Sequence, residues 1–197
     1  MIEKIYLQEK EKYGIDNVVL LSPFRQKTET SVNALNQRIQ ARINPPAPEK
    51  EQAVFRNRIF RVGDKVMQTK NCEDVNNGDV GYITTILGNG SDAVVRVDFG
   101  DGRTAEYEGS DLEMLDLAYA CTVHKSQGDE FKSVIINLQC AHSVMLVRPL
   151  IYTAITRAKE RVIIVGERKA LCIAIRRTDT EQRGTKLALR IQEIMRS

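Results

Sequence analysis

The sequence predicts an α/β fold: a parallel-sheet domain interrupted by a small all-β barrel. Three observations carry that expectation. First, three continuous apolar runs of strand length, at 17–21, 133–138 and 161–166, have the character of strands covered on both faces. Second, segments of helical spacing flank these runs, so strand and helix alternate. Third, the middle of the chain changes character, with short alternating segments punctuated by Gly-Asp turns.

In chain order, residues 3–13 form a charged helix, with Ile5 and Tyr6 as core contacts. Asn17-Val18-Val19-Leu20-Leu21 is the first buried strand, and Ser22-Pro23 ends it. Val32, Leu35 and Ile39 recur at helical spacing within 29–41. Asn44-Pro45-Pro46-Ala47-Pro48 cannot continue that helix and marks a boundary. Phe60 to Met67 is a strand broken by Gly63-Asp64, and Asn76 to Gly81 is a tight turn. Val95, Val97 and Phe99 share one face of the next strand, and Gly100-Asp101-Gly102 turns the chain into a return over 104–107. The barrel is placed at 55–112. Leu117 to Val123 reads as one apolar strand leading into a polar run. Beyond it come the strand at 133–138, a helix over 146–158, a third buried strand at 161–166, and helices near 169–175 and 186–195. The division is therefore discontinuous: 1–50 and 113–197 form the α/β domain, and 55–112 the insertion.

Composition excludes several classes. The 197 residues are 42% hydrophobic and 28% charged, ordinary for a globular protein with a real core. No run approaches the roughly 20 apolar residues of a membrane span. The N-terminus alternates apolar and charged residues, unlike a signal peptide. Four scattered cysteines without a C-x-x-C pair read as reduced, mostly buried thiols, which points to the cytoplasm and not to a membrane or secreted setting. His124 and His142 lie at no metal-ligand spacing, so no metal site is expected. Net charge is +3, with the surplus of Lys and Arg concentrated after residue 156. A basic end suits a polyanionic partner but equally describes a solvated helical face.

Two runs carry chemistry. After the apolar stretch at 117–123 come His124, Lys125, Ser126, Gln127, Gly128 and Glu130. Ligands of open α/β sheets bind in loops at the carboxyl ends of strands. Hydroxyls and amides there can meet phosphate oxygens, a glycine lets a ligand approach closely, and a carboxylate can accept from ribose. By residue type alone, a polar turn with a bending glycine explains the loop equally well. The second run is Tyr152-Thr153-Ala154-Ile155-Thr156-Arg157-Ala158-Lys159, with Arg157 at the border of an apolar helical face.

The order Thr-x-His-Lys-Ser-Gln-Gly-x-Glu-Phe resembles motif V of superfamily 1 helicases, in the form of the RecD-like branch. The second run resembles motif VI. The resemblance implies a RecA-like second motor domain with an SH3-like barrel insertion, the C-terminal part of an ATP-dependent DNA helicase (exodeoxyribonuclease V alpha-type) acting in recombination and repair. It implies DNA contact at Thr122 and His124, nucleotide contact at Gln127, Gly128 and Glu130, and an arginine finger at Arg157. Val-Val-Leu-Leu-Ser-Pro-Phe-Arg, residues 18–25, resembles the opening strand and loop of that domain, which implies DNA contact at Ser22 and Arg25; a capping turn before the following helix is the alternative. Arg58, Arg61, Lys65 and Lys70 are the barrel cations open to phosphate contact. ATP and magnesium are the implied cofactors. Single-stranded DNA, an N-terminal motor domain of the same parent chain and possible nuclease or helicase subunits are the implied partners. No G-x-x-x-x-G-K-[ST] pattern occurs, and Gly184-Thr185-Lys186 lacks its first glycine. These residues alone are therefore expected to be inactive toward ATP. A non-catalytic DNA-binding scaffold and the helicase part of a conjugative relaxase are the competing readings.

Overall fold

The computed structural model describes residues 1–26, 28–72, 74–88 and 92–178. In order, the elements begin with α1 (Ile2–Tyr13), β1 (Val18–Ser22) and α2 (Val32–Ile43). An antiparallel section follows: β2 (Gln52–Phe55), β3 (Arg58–Arg61), β4 (Lys65–Gln68), β5 (Val80–Leu87), β6 (Val94–Asp98), β7 (Thr104–Tyr107) and β8 (Leu115–Leu117). The chain closes with β9 (Ala120–Thr122), β10 (Phe131–Leu138), α3 (Arg148–Ile155), β11 (Ala158–Gly166) and α4 (Arg168–Arg176).

Four strands form a parallel sheet in the order β11-β10-β1-β9. Its centre is β1, buried at every residue. Alternation sends Val18 and Leu20 to the face where Ile2 and Tyr6 of α1 and Leu35 and Ile39 of α2 pack. Val19 and Leu21 go to the opposite face, against Leu150, Ile151 and Ala154 of α3 and Ala170 and Ala174 of α4. A run apolar at every position is what such two-sided covering requires. Each such side chain contributes about 1.5–3 kcal/mol on burial.

β11 departs from the expectation of a third strand buried on both faces. It is an edge strand, pairing among the described residues with β10 alone, and only Val165 in it is buried. Ile164 is 40% exposed. Its last residue, Gly166, has φ +138°, and a Cβ there would lie 1.8 Å from the Leu138 carbonyl oxygen. Only glycine fits that approach.

The inserted strands make a two-stranded hairpin, β2-β3, and a five-stranded antiparallel sheet in the order β7-β6-β5-β4-β8. Alternation in β6 puts Val95 and Val97 inside and Arg96 and Asp98 outside. The antiparallel strands run from Gln52 to Leu117. The apolar stretch 117–123, expected as one strand, is two. Leu117 pairs with Val66 in the barrel, Ala118 and Tyr119 cross over, and Ala120 pairs with Leu20 in the parallel sheet. Asn36 of α2 holds this crossing: its amide donates to the carbonyls of Leu117 (2.8 Å) and Ala120 (2.9 Å), and its oxygen accepts from Ala120 N (2.7 Å).

Beside it lies Asp64, fully buried. Its carboxylate accepts from Asn44 Nδ2 (2.8 Å), Arg61 N (2.8 Å), Tyr119 Oη (2.9 Å) and Gln40 Nε2. The donors come from α2, the residue capping it, the barrel and the crossing, so one side chain joins both parts. Burial pushes its pKa up, against the four hydrogen bonds that favour the charged form. One hydrophobic core runs from α1 and α2 into the barrel.

Of the cysteines, only Cys121 is buried; Cys72 and Cys172 are exposed, contrary to the expectation of mostly buried thiols. No helix among the described residues is long and apolar enough to cross a membrane. The helix expected at 186–195 and Gly184-Thr185-Lys186 lie outside the described residues.

Candidate nucleotide and nucleic-acid site

The loop between β9 and β10 is anchored from within. Thr122 O accepts from Lys125 N (3.0 Å) and Ser126 N (3.3 Å), which curls the chain into one helical turn. Ser126 is buried and its hydroxyl donates to Val123 O (2.9 Å). With that anchor inside, His124, Gln127, Gly128, Asp129 and Glu130 are exposed. Gly128 has φ +98°, and a Cβ there would meet nothing within 4 Å. Its glycine is required by backbone conformation rather than by crowding.

Arg157 was expected inside a helix over 146–158. Instead α3 stops at Ile155, a 3-10 turn at Cys140–Met145 precedes it, and Arg157 stands in the turn before β11. That turn brings it to the loop. Arg157 Nη1 donates to Asp129 O (3.1 Å), Nε to Thr153 O (3.3 Å), and Phe131 N donates to Arg157 O (2.8 Å). Nη2 donates to Thr156 Oγ1 at 3.4 Å. A guanidinium has five N–H donors, so two stay available on a half-buried side chain. Next to it, Lys159 pairs with Glu130 at 2.9 Å. The hydrogen bond and charge of Lys159 hold the Glu130 carboxyl below the usual range. Lys159 belongs to the motif, but residue type alone gave no reason to single it out.

The other flank of the same loop meets the barrel. Lys125 Nζ donates to Asn77 Oδ1 (3.0 Å) in the turn before β5. Thr122, Arg25 and Lys125 share a recess of about 40 Å³. It adjoins a groove of about 380 Å³ lined by Arg25, Arg56, Arg58, Lys70 and Lys125, with Glu113 and Asp116 as the opposing charges. Asp116 binds two of those cations: Arg25 Nη2 at 2.6 Å and Arg58 Nη1 at 2.8 Å. Arg58 also donates to Leu115 O and lies over the rings of Phe55 and Phe60.

Three cations or hydroxyls singled out from sequence are turned to structural use. Ser22 is fully buried, its hydroxyl donating to Thr30 O (2.9 Å) and accepting from Asn137 Nδ2 (3.4 Å). Arg61 is buried against Asn44 O (3.1 Å), and Lys65 against Asp16 (3.0 Å) and Ile15 O (3.1 Å). A larger opening of about 560 Å³ sits between the barrel and residues 129–131, but Asp16, Asp79, Asp98, Asp129 and Glu130 line it against Lys65 alone. Such a lining repels a polyanion.

Known proteins resemble this chain in sequence and fold. Residues 35–99 match the model of the ATP-dependent RecD-like DNA helicase SH3 domain, and residues 117–165 match the UvrD-like helicase C-terminal domain. The ATP-dependent RecD2 DNA helicase of Deinococcus radiodurans is 38% identical over 191 residues, covering 96% of this chain and 25% of that protein. The RecBCD enzyme subunit RecD of Haemophilus influenzae is 34% identical over 133 residues, covering 66% of this chain and 19% of that protein. The chain thus spans about a quarter or less of these relatives. Among solved structures, a Bacteroides Pif1 helicase in complex with ADP-AlF3 and ssDNA shares the fold, with TM-score 0.56, 19% identity, and coverage of 92% of this chain and 46% of that one. A structure of two coordinating Pif1 helicases at forked dsDNA gives TM-score 0.54 at 22% identity, covering 98% and 47%. Two family models side by side and a relative matched along nearly the whole chain agree with the motifs and the parallel sheet: the chain belongs to the RecD-like superfamily 1 DNA helicases.

Proposed function

We propose that this chain is the C-terminal motor half of an ATP-dependent DNA helicase, a RecA-like domain interrupted by a barrel insertion whose strands reach from Gln52 to Leu117, somewhat beyond the 55–112 expected from the sequence. Gln127, Gly128, Glu130 and Arg157 form one wall of a nucleotide cleft. Thr122, His124, Arg25 and Lys125 face single-stranded DNA on the other flank. Ser22 drops out of the DNA-contacting set because its hydroxyl is buried and engaged. The observation that carries this reading is the direct link between the two motifs, Arg157 Nη1 to Asp129 O and Phe131 N to Arg157 O, on an exposed edge.

ATP, when bound, supplies the phosphoanhydride bond whose cleavage drives movement. The residues here orient and neutralise. Arg157 keeps two N–H donors for phosphoryl oxygens, and its charge is permanent. Lys159 pairs with Glu130, whose carboxylate is an acceptor for ribose hydroxyls. The sequence holds no phosphate-loop pattern, and the described residues hold no cluster of metal ligands. The phosphates and magnesium are then held by a second motor domain across the cleft. The test is Arg157→Ala in a helicase that carries this segment beside a phosphate-loop domain. ATP turnover is expected to fall by about 10³–10⁵. Undiminished turnover would favour a non-catalytic scaffold instead.

A further inference from the structure

Asp116 occupies an odd place: with Glu113 it is one of two carboxylates at the wall of a groove that gathers five cations, and of the two it is the one with arginines on both oxygens. Each of its oxygens takes a different arginine, Arg25 from the loop after β1 and Arg58 from β3. Two guanidiniums on two oxygens of one anion is also how arginines grip a phosphate. The two arginines are not equally fixed. Arg58 is largely buried, with a carbonyl and two aromatic rings to hold it. The Arg25 side chain is 51% exposed, and Asp116 is its one ion-pair partner among the described residues. Arg56, at the tip of the β2-β3 hairpin, takes φ +55°, a conformation that costs an arginine free energy and that asparagine or glycine adopts more easily.

We propose that Asp116 is a built-in stand-in for a backbone phosphate: it holds Arg25 against the barrel when the groove is empty and yields it to a phosphate when a single strand enters. Asp116 thereby sets the affinity and salt dependence of strand binding. This rests on the reading of the groove as the DNA path.

The experiment is fluorescence anisotropy of this 197-residue chain with labelled oligo-deoxythymidylate across a salt series. Asp116→Asn is expected to tighten binding about tenfold at low salt and to steepen the salt dependence by about one phosphate, near 0.7 in log–log slope for a single strand. Glu113→Gln, which removes the same charge from the same groove without freeing an arginine, is expected to gain several-fold less. Equal gains from both would reduce Asp116 to general electrostatics and overturn the proposal, as would unchanged or weaker binding by Asp116→Asn. Arg25→Gln, measured on its own, is expected to weaken binding more than Lys70→Gln; an equal or smaller loss also overturns it, even if Asp116→Asn does not fold. If neither the unaltered chain nor Asp116→Asn binds at low salt, the groove is not the DNA path, and that reading falls with the proposal.

Discussion

Two aspartates sit at the junction of barrel and parallel sheet, and they are built oppositely. Asp64 is fully buried and takes four hydrogen bonds, none from a charged group. Asp116 is partly exposed and takes two arginines, one of them half in solvent. A buried carboxylate with every donor supplied by the fold is costly to disturb and has no reason to exchange partners. The Arg25–Asp116 pair, with Arg25 half in solvent, is of the exposed kind worth about 0–1 kcal/mol and exchanges readily, while Arg58 stays fixed. The same residue type thus makes a permanent joint at one point and a replaceable contact at another, and the choice of partners decides which.

Stability measurements separate the two. Asp64→Ala strands four buried donors at once, and we expect a loss of about 3 kcal/mol or more. For a chain of this size that is a fall in melting temperature of roughly 6–12 °C or beyond. A loss under about 1 kcal/mol would show that the joint is relaxed by water. Asn36→Ala removes three hydrogen bonds at the crossing between the sheets and should cost about 2–3 kcal/mol by chemical denaturation. Arg25→Gln, which removes only the exposed arm of the Asp116 contact, should cost less than about 1 kcal/mol. If it destabilised the chain as much as Asp64→Ala, the Arg25–Asp116 pair would be a joint of the same kind and no exchangeable contact.

The parallel sheet was legible because its central strands are apolar at every position, and that pattern needs no knowledge of partners. β11 misled for the opposite reason: Val162, Ile163 and Ile164 are as apolar as β10, yet β11 lies at the edge among the described strands. Apolar composition does not reveal which strand ends a sheet. The helix around Arg157 reads three residues too far at its C-terminal end because Thr156, Arg157 and Ala158 all tolerate helix, and the turn is imposed by pairing of Ala158 with Phe131. The roles of the motif residues came from the order of the motif rather than from residue type. Asp64 and Asp116 were invisible as connectors because their partners lie far along the chain: Tyr119 is 55 residues from Asp64, and Arg25 is 91 from Asp116. In hindsight Asp116, a lone charge between Leu115 and Leu117, was the available signal, though it named no partner.

The loop 122–131 presents one flank to Arg157 and the other to the basic groove, and that double use is the centre of the reading. Its sharpest test compares two variants in a helicase carrying this segment with its partner motor domain, scoring ATP turnover at saturating single strand and strand affinity without nucleotide. Arg157→Ala should abolish turnover and leave affinity unchanged, whereas Lys125→Ala should weaken affinity severalfold and leave saturated turnover near normal. If both variants damaged both quantities alike, the two flanks would not be separate surfaces, and the division of the loop between nucleotide and strand would be contradicted.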